Sequence, residues 1–194
     1  MNLGSESETS ASKNITALTD TSNNSIVHQS NQEKALERLQ QAFRSTNQDR
    51  AVKYCRQAAE LDPEQKLAHY HMGLIYAAKM RWSEAVECLS RALEIDPADP
   101  SLSFNLGAIC INAGWLDQAE TYFLRAKELD PVCEGAHYYL ATVYLRKGQL
   151  QKALNLATLA LRLRPTECTI KKENFVELIA QIEAEIQASS SPRS

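Results

Sequence analysis

Prolines and alanines recur along this chain at one constant step. The prolines are Pro63, Pro97, Pro131 and Pro165, and the two alanine series are Ala51, Ala85, Ala119 and Ala153, then Ala58, Ala92, Ala126 and Ala160. The step is about 34 residues, and self-similarity at a period of about 20–50 residues is typical of repeat architectures. Because three series share one step, the sequence predicts a repeat protein.

Each period contains two segments with apolar side chains at helical spacing. In residues 102–130 the first face carries Leu106, Gly107 and Cys110, and the second carries Ala119, Phe123 and Ala126. A proline ends each second helix, because its ring cannot continue the hydrogen-bond pattern. No insertion interrupts the step, so we expect short loops and antiparallel neighbouring helices. The predicted fold class is all-α.

Small residues predict how the two helices of a period, A and B, pack together. Gly73, Gly107 and Ala141 occupy the eighth place of helix A, where a larger side chain would hold helix B away. Interaxial distances near the short end of about 8–10 Å then become possible. Since a single helix pair would expose apolar surface, stacking must supply the core and curl the stack into a superhelix.

Capping residues indicate where the helices begin and end. Asp49, Ser83 and Asp117 are predicted to start B helices, and Asp99 followed by Pro100 to start an A helix. Gly148 is placed at a turn between helices.

The periodicity also divides the chain. Residues 1–31 contain 16 Ser, Thr or Asn and are predicted to be a disordered polar tail, because such a segment buries too little surface to order itself. From residue 32 a helical face follows, formed by Ala35, Leu36, Leu39, Ala42 and Phe43. The predicted domains are four repeats at 32–65, 66–99, 100–133 and 134–167, a C-terminal capping helix at 168–187 and a disordered tail at 188–194. The stripe Phe175, Leu178, Ile179, Ile182 and Ile186 identifies the capping helix.

These large and small positions resemble the tetratricopeptide repeat (TPR). The matching residues are His69, Met72, Gly73, Tyr76, Ala85, Leu89, Ala92 and Pro97; Ser103, Leu106, Gly107, Cys110, Ala119, Phe123, Ala126 and Pro131; and His137, Leu140, Ala141, Tyr144, Ala153, Ala157, Ala160 and Pro165. In the first repeat, Arg38 and Leu39 replace the large–small pair. The resemblance implies a right-handed α–α superhelix, a TPR solenoid, that binds proteins and is not an enzyme.

The resemblance also implies a concave groove lined by A-helix side chains. We call the predicted lining the groove set: Leu67, Tyr70, His71, Leu74, Ser101, Phe104, Asn105, Ala108, Ile111, Tyr138, Thr142 and Leu145. Since other residues fill the core positions, these side chains are expected to have no role in packing, and an exposed apolar strip usually marks an interaction surface. Replacing Tyr70, Phe104 and Tyr138 by alanine is expected to leave the fold intact. The alternative is that the terminal helix or the tail covers the groove.

The predicted function is a protein–protein adaptor that binds a peptide or helix of a partner protein. Two alternatives stay open: a dedicated secretion-type chaperone that shields a hydrophobic client segment, and a scaffold that assembles with itself as a homo-oligomer. Some TPR proteins clamp a peptide's terminal carboxylate with Lys and Asn. Of the residues at those places only Asn105 matches, so we expect no such clamp.

Composition excludes several other classes. The net charge of −3 argues against a nucleic-acid partner, and no apolar run is long enough for membrane insertion. An odd count of five cysteines and the absence of a signal peptide favour a cytoplasmic protein with reduced thiols. No phosphate loop or nucleophile elbow is present, and Cys133 with His137 offers too few ligands for a metal. We therefore predict no catalytic residues, cofactor or metal.

Overall fold

The computed structural model describes the backbone of residues 7–163 and 170–190, and the side chains of residues 26–163 and 170–189. These residues form nine α-helices and no strand. The helices are α1 (Ser7–Arg44), α2 (Gln48–Leu61), α3 (Lys66–Ala78), α4 (Trp82–Ile95), α5 (Pro100–Ala113), α6 (Leu116–Leu129), α7 (Glu134–Arg146), α8 (Leu150–Leu163) and α9 (Lys172–Ser190). The predicted all-α class is confirmed. The chain divides into two compact units, residues 1–68 and 69–194, with the boundary inside α3.

The first unit is built on the packing of α1 against α2. Its buried apolar side chains are Ala35, Leu39 and Ala42 of α1 and Ala51, Val52, Cys55 and Ala58 of α2. Leu36 and Phe43, predicted on the same face, are 51% exposed. The reason is that only the centre of the apolar stripe on α1 faces α2.

Where the sequence predicts a disordered tail over residues 1–31, the structure describes a helix from Ser7 onward. Helix α1 begins at Ser7 and continues without a break to Arg44. No proline or glycine lies between Ser7 and Arg44, so neither of the two residues that most strongly disfavour a helix occurs within α1. Residues 1–6 lie outside the described part of the chain.

In the second unit, consecutive helices pack as pairs and the pairs pack on one another. Helix α5 packs against α6 and α7 against α8, while α4 meets α5 and α6 meets α7. A Cβ atom added to Gly73 would lie 2.7 Å from Cγ of Leu89, so α3 and α4 are in close contact at this point. The predicted role of the small eighth-place residues is thus confirmed at Gly73.

The helix ends differ from prediction by one or two residues. Asn47, not Asp49, caps α2, since its side chain accepts the N–H of Arg50 at 3.0 Å. Helix α4 begins at Trp82, one residue before Ser83, and α6 begins at Leu116, one before Asp117. The turns between A and B helices are only a few residues long. The end of each A helix and the length of the turn after it therefore determine where the next B helix begins.

Two predicted features, a helix N-cap and a glycine turn, are confirmed. Asp99 caps α5 by accepting the N–H of Ser101 at 2.9 Å, with Pro100 in the first turn. Gly148 has φ +70° in the turn between α7 and α8, and Gly114 has φ +80° between α5 and α6. This left-handed conformation costs glycine little, because it has no Cβ atom.

Helix α9 ends the second unit by packing on α8 and, to a smaller extent, on α7. Phe175, Leu178 and Ile182 are buried, and Ile179 and Ile186 are partly buried against the same core. The helix occupies Lys172–Ser190, so it extends three residues into the predicted C-terminal tail. Pro165 and Cys168, which belong to the predicted proline series and to the predicted start of the capping helix, lie outside the described residues. None of the helices described is both long and apolar enough to cross a membrane.

Candidate functional site

Groove-set residues of the second unit lie on the A helices α3, α5 and α7. Tyr70, Phe104 and Tyr138 hold the same place in successive repeats, and all three are half-buried. Leu74, Ala108 and Thr142 form a second half-buried row. Leu67 belongs to the first unit, where it is 42% exposed. The repeat thus presents equivalent side chains from successive helices.

A hydrogen bond joins two members of the groove set across neighbouring A helices. Nδ2 of Asn105 donates to the hydroxyl of Tyr70 at 3.3 Å. The ring of Tyr70 also meets His71 edge-on, with centroids 5.5 Å apart. Partial burial lowers the pKa of His71, because desolvation disfavours its charged form. These contacts hold the polar atoms of this part of the row in a defined arrangement.

Phe104 belongs to an aromatic cluster rather than to an open strip. Its ring meets Phe123 edge-on at 5.7 Å and Tyr139 edge-on at 5.6 Å, while Phe123 and Tyr139 are stacked. A Cβ atom on Gly135 would lie 3.1 Å from the Phe104 ring. The ring is therefore held from several sides. Phe104 therefore has a packing role, and we expect Phe104→Ala to disturb this cluster.

Two further groove-set residues are core residues. Ile111 and Leu145 are 7% and 8% exposed and belong to the core cluster of the second unit. They are the last groove-set positions on α5 and α7, where the helix ends approach each other. Nη1 of Arg146 donates to the carbonyl of Ile111 at 3.4 Å. The expectation that these positions have no role in packing is wrong for Ile111 and Leu145.

A pocket of about 390 Å³ lies between the first turns of α5 and α7. We call it the α5–α7 pocket. Its lining comprises Pro100, Ser101, Phe104 and Asn105; Ala126 and Asp130; Cys133, Glu134, Gly135 and Tyr139; and Ile170. Three groove-set residues, Ser101, Phe104 and Asn105, form one side of it. The surface combines aromatic rings, an amide and carboxylates within one concavity.

A second pocket, of about 600 Å³, separates α7 from α9. Its lining comprises Tyr138, Thr142, Leu145 and Arg146 of α7 and Asn174, Glu177, Leu178, Gln181 and Glu185 of α9. Here the ring of Tyr138 meets Phe175 of α9 at 5.0 Å. Burial raises the pKa of Tyr138, and the neighbouring Tyr139 and Glu177 add to the increase. The terminal helix therefore partly covers Tyr138, one of the three equivalent aromatic residues of the groove set.

Several lining residues were not in the groove set. Tyr139 occupies the place in its repeat that Asn105 and His71 occupy in theirs, so the repeat register alone could have identified it. Asp130, Cys133 and Glu134 lie around the turn between α6 and α7. The groove set was chosen from positions on the A helices and does not include this turn. Ile170 precedes α9, and no periodic signal connects it to α5 or α7.

The polar side chains of the described residues do not form a metal site. In the part of the chain that the structure describes, no three His, Cys, Asp or Glu side chains are grouped as metal ligands would be. Nδ1 of His137 donates to the backbone carbonyl of Cys133 at 2.8 Å, and His137 is 3% exposed. This bond gives the buried imidazole of His137 a structural role.

Family models described as tetratricopeptide repeat match three successive stretches of the chain. The stretches are residues 67–99, 100–133 and 135–167, which together make up about half of the sequence. The comparison with curated proteins found no match.

Solved structures with the same fold include three named TPR or TPR-like proteins. YrrB, described as a TPR protein with an unusual peptide-binding site, is 22% identical with a TM-score of 0.63, over 74% of this chain and 71% of YrrB. MamA is 18% identical with a TM-score of 0.59, over 74% and 91%. The first TPR of Spaghetti (RPAP3), bound to the HSP90 peptide SRMEEVD, is 18% identical with a TM-score of 0.58, over 65% and 96%.

Proposed function

The chain belongs to the tetratricopeptide repeat family, and from this premise we propose that it is a non-enzymatic adaptor that binds an extended peptide segment of a partner protein. The proposed binding site is the α5–α7 pocket. Groove-set residues away from this pocket, including Tyr70 and Thr142, would contact the flanking parts of the peptide.

The α5–α7 pocket is the observation that carries this proposal. It presents the half-buried rings of Phe104 and Tyr139 next to the amide of Asn105. Ligand sites typically combine apolar walls with a few placed polar groups, and aromatic side chains often dominate the binding energy. An amide can both donate to and accept from a peptide backbone. The pocket therefore has the parts needed to hold one side chain and its adjoining backbone.

The structural neighbours support a peptide as the ligand class. YrrB is described by its peptide-binding site, and the Spaghetti repeat holds an HSP90 peptide. The acidic peptide of the latter is not the ligand we propose here, because the described residues that line the α5–α7 pocket include Asp130 and Glu134 and no Lys, Arg or His. The acidic lining is consistent with the expectation from the sequence that a carboxylate clamp is absent.

The test is a steric block of the pocket with a matched control. Peptides are selected from a displayed random library on the full chain, synthesised with a fluorophore and titrated by fluorescence anisotropy. Ser101→Trp places a bulky neutral side chain at the pocket, whereas Ser83→Trp makes the same change on α4. Both serines are exposed and are the second residue of their helix, so the two variants differ mainly in location.

We expect Ser101→Trp to weaken binding about tenfold or more and Ser83→Trp to change it less than about twofold. Equal affinities for the two variants, with both folded by circular dichroism, would reject the pocket as the binding site. Binding only by unfolded client chains, seen as rescue of client solubility on co-expression, would favour the chaperone alternative. An apparent mass that rises with protein concentration in light scattering would favour self-assembly.

A further inference from the structure

The α5–α7 pocket has a one-sided distribution of charge. Its ionisable acids are Asp130, at the end of α6, and Glu134, the first residue of α7. Among the residues that the structure describes, none that lines it is Lys, Arg or His. A ligand group in this pocket is therefore close to two carboxylates.

The backbone holds one of these carboxylates in place. Oδ1 of Asp130 accepts the N–H of Val132 at 3.2 Å, which fixes the carboxylate in the turn. Glu134 stands in the first turn of α7, where a negative charge is stabilised by the helix dipole. The charge of Asp130 is therefore preorganised beside the pocket.

Aromatic rings form the other part of the lining. Phe104 and Tyr139 meet edge-on at 5.6 Å, and each is only partly buried. Aromatic faces attract cations through the ring quadrupole, and guanidinium groups also stack on them. Asn105 donates through Nδ2 to Tyr70 and keeps Oδ1 as an acceptor for an N–H group. Rings, carboxylates and an acceptor oxygen all favour a cationic donor.

We propose that the α5–α7 pocket recognises the side chain of an arginine or lysine within the bound peptide. This inference rests on the proposed peptide-binding function and specifies its ligand. The positive group lies against Phe104 and Tyr139, with Asp130 and Glu134 supplying the opposite charge. A carboxylate in the same place would be repelled by both acids. The two carboxylates therefore attract a basic side chain and also discriminate against an acidic one.

The experiment uses the full chain and the peptides selected under the proposed function. Their sequences are first compared with the unselected library for enrichment of Arg and Lys. One basic peptide that Ser101→Trp weakens is then resynthesised with norleucine or glutamate in place of each basic residue. On the protein side, Asp130→Asn and Glu134→Gln remove the charges; the asparagine retains an Oδ1 that can accept the N–H of Val132. Glu128→Gln is the matched control, because it removes an exposed carboxylate of α6 that does not line the pocket.

We expect norleucine at one peptide position to weaken binding about tenfold, and glutamate more. Each pocket variant should weaken the basic peptide about two- to fivefold, and their effect should shrink as salt rises from about 0.05 M to about 0.5 M. Glu128→Gln should change affinity less than about 1.5-fold.

Three outcomes would overturn the inference. If selected peptides bind and Ser101→Trp weakens them, but no basic residue is enriched or needed, the peptide-binding function stands and the charge assignment fails. If Glu128→Gln weakens the basic peptide as much as Asp130→Asn does, the attraction is general and not due to the pocket. If no peptide binds at all, the proposed function and this inference fail together.

Discussion

Asn105 donates a hydrogen bond from Nδ2 to the hydroxyl of Tyr70, 35 residues earlier in the chain, at 3.3 Å. Both side chains are only partly buried, and they belong to neighbouring A helices. A polar bond therefore links two successive repeats on the row of groove-set residues. The contribution of this hydrogen bond to the free energy of unfolding can be measured separately from that of the surrounding apolar contacts.

Tyr70→Phe removes the acceptor hydroxyl and little else. We expect the free energy of unfolding in urea to fall by about 0.5–1.5 kcal/mol, the usual net value of one such bond. The double-mutant cycle with Asn105→Ala provides the control, because the second substitution should cost less when the hydroxyl is already gone. Strict additivity of the two single changes would show that the contact contributes nothing.

Gly107→Ala tests the close approach of α5 and α6. The new Cβ atom would lie 2.9 Å from three ring carbons of Phe123, a fully buried side chain that Phe104 and Tyr139 hold in place. Overpacking of this kind costs about 1–3 kcal/mol, which outweighs the gain of up to about 1 kcal/mol in helix propensity. We expect a net loss of about 1–2 kcal/mol in urea unfolding.

The same substitution combined with Phe123→Leu is its control. The smaller side chain leaves room for the added methyl group, so the double variant should be more stable than the sum of the two single effects allows. A Gly107→Ala protein as stable as the parent chain would mean that the ring can move aside.

Ser103→Ala should make the protein more stable. The hydroxyl of Ser103 is fully buried on α5 and has no hydrogen-bond partner among the described residues. An unsatisfied buried hydroxyl costs about 1–3 kcal/mol, and alanine also favours the helix. We expect an increase of about 1–2 kcal/mol in the free energy of unfolding. The control is Ser101→Ala on the exposed side of the same helix, which should change the free energy of unfolding by less than about 0.5 kcal/mol. An equal gain in stability from both substitutions would mean that helix propensity alone explains the effect.

Lys147 is expected to contribute to the response of the second unit to acid. Its Nζ lies 2.6 Å from Oδ1 of Asp117 and 2.6 Å from Oε2 of Glu120, so it joins α6 to the end of α7. The hydrogen bond from Lys147 holds the pKa of Glu120 below its usual value, and the pKa of Lys147 is raised. A carboxyl group with a lowered pKa stabilises the fold above its unfolded pKa of about 4.5, and this stabilisation is lost as the pH falls through the folded pKa.

Lys147→Met should therefore lower the melting temperature at neutral pH and flatten its fall on acidification. Thermal unfolding is followed by circular dichroism between about pH 7 and about pH 3. Lys171→Met removes an exposed lysine outside this cluster and should leave the pH profile parallel to that of the parent chain. If both variants keep the parent profile, the acid sensitivity comes from other carboxyl groups.

Much of the fold could be read from local patterns. The constant step of the prolines and alanines located the helix pairs, and Asp99 followed by Pro100 located the start of α5. Both signals can be recognised without any knowledge of tertiary contacts. Before residue 32 the sequence predicts a disordered tail, whereas the structure describes α1 from Ser7 onward. Polar composition lowers helix propensity without preventing a helix.

The site was harder to predict. Repeat register selected Phe104 and Asn105, which line the α5–α7 pocket, and it also selected Ile111 and Leu145, which are buried. A register position specifies the face of a helix on which a side chain lies. Whether that side chain stays accessible depends on how closely the next helix packs.

The sequence by itself determined the helical repeat, its period and the small residues at which paired helices meet, because each of these follows from local periodicity and from the space one side chain needs. The tertiary structure alone decided that Phe175 would pack against Tyr138 and that Asp130 and Glu134 would line a pocket with Phe104. These relationships depend on the angles and offsets between helices that are distant in the sequence. Such geometry is set by all the packing contacts acting together, and no single stretch of residues encodes it.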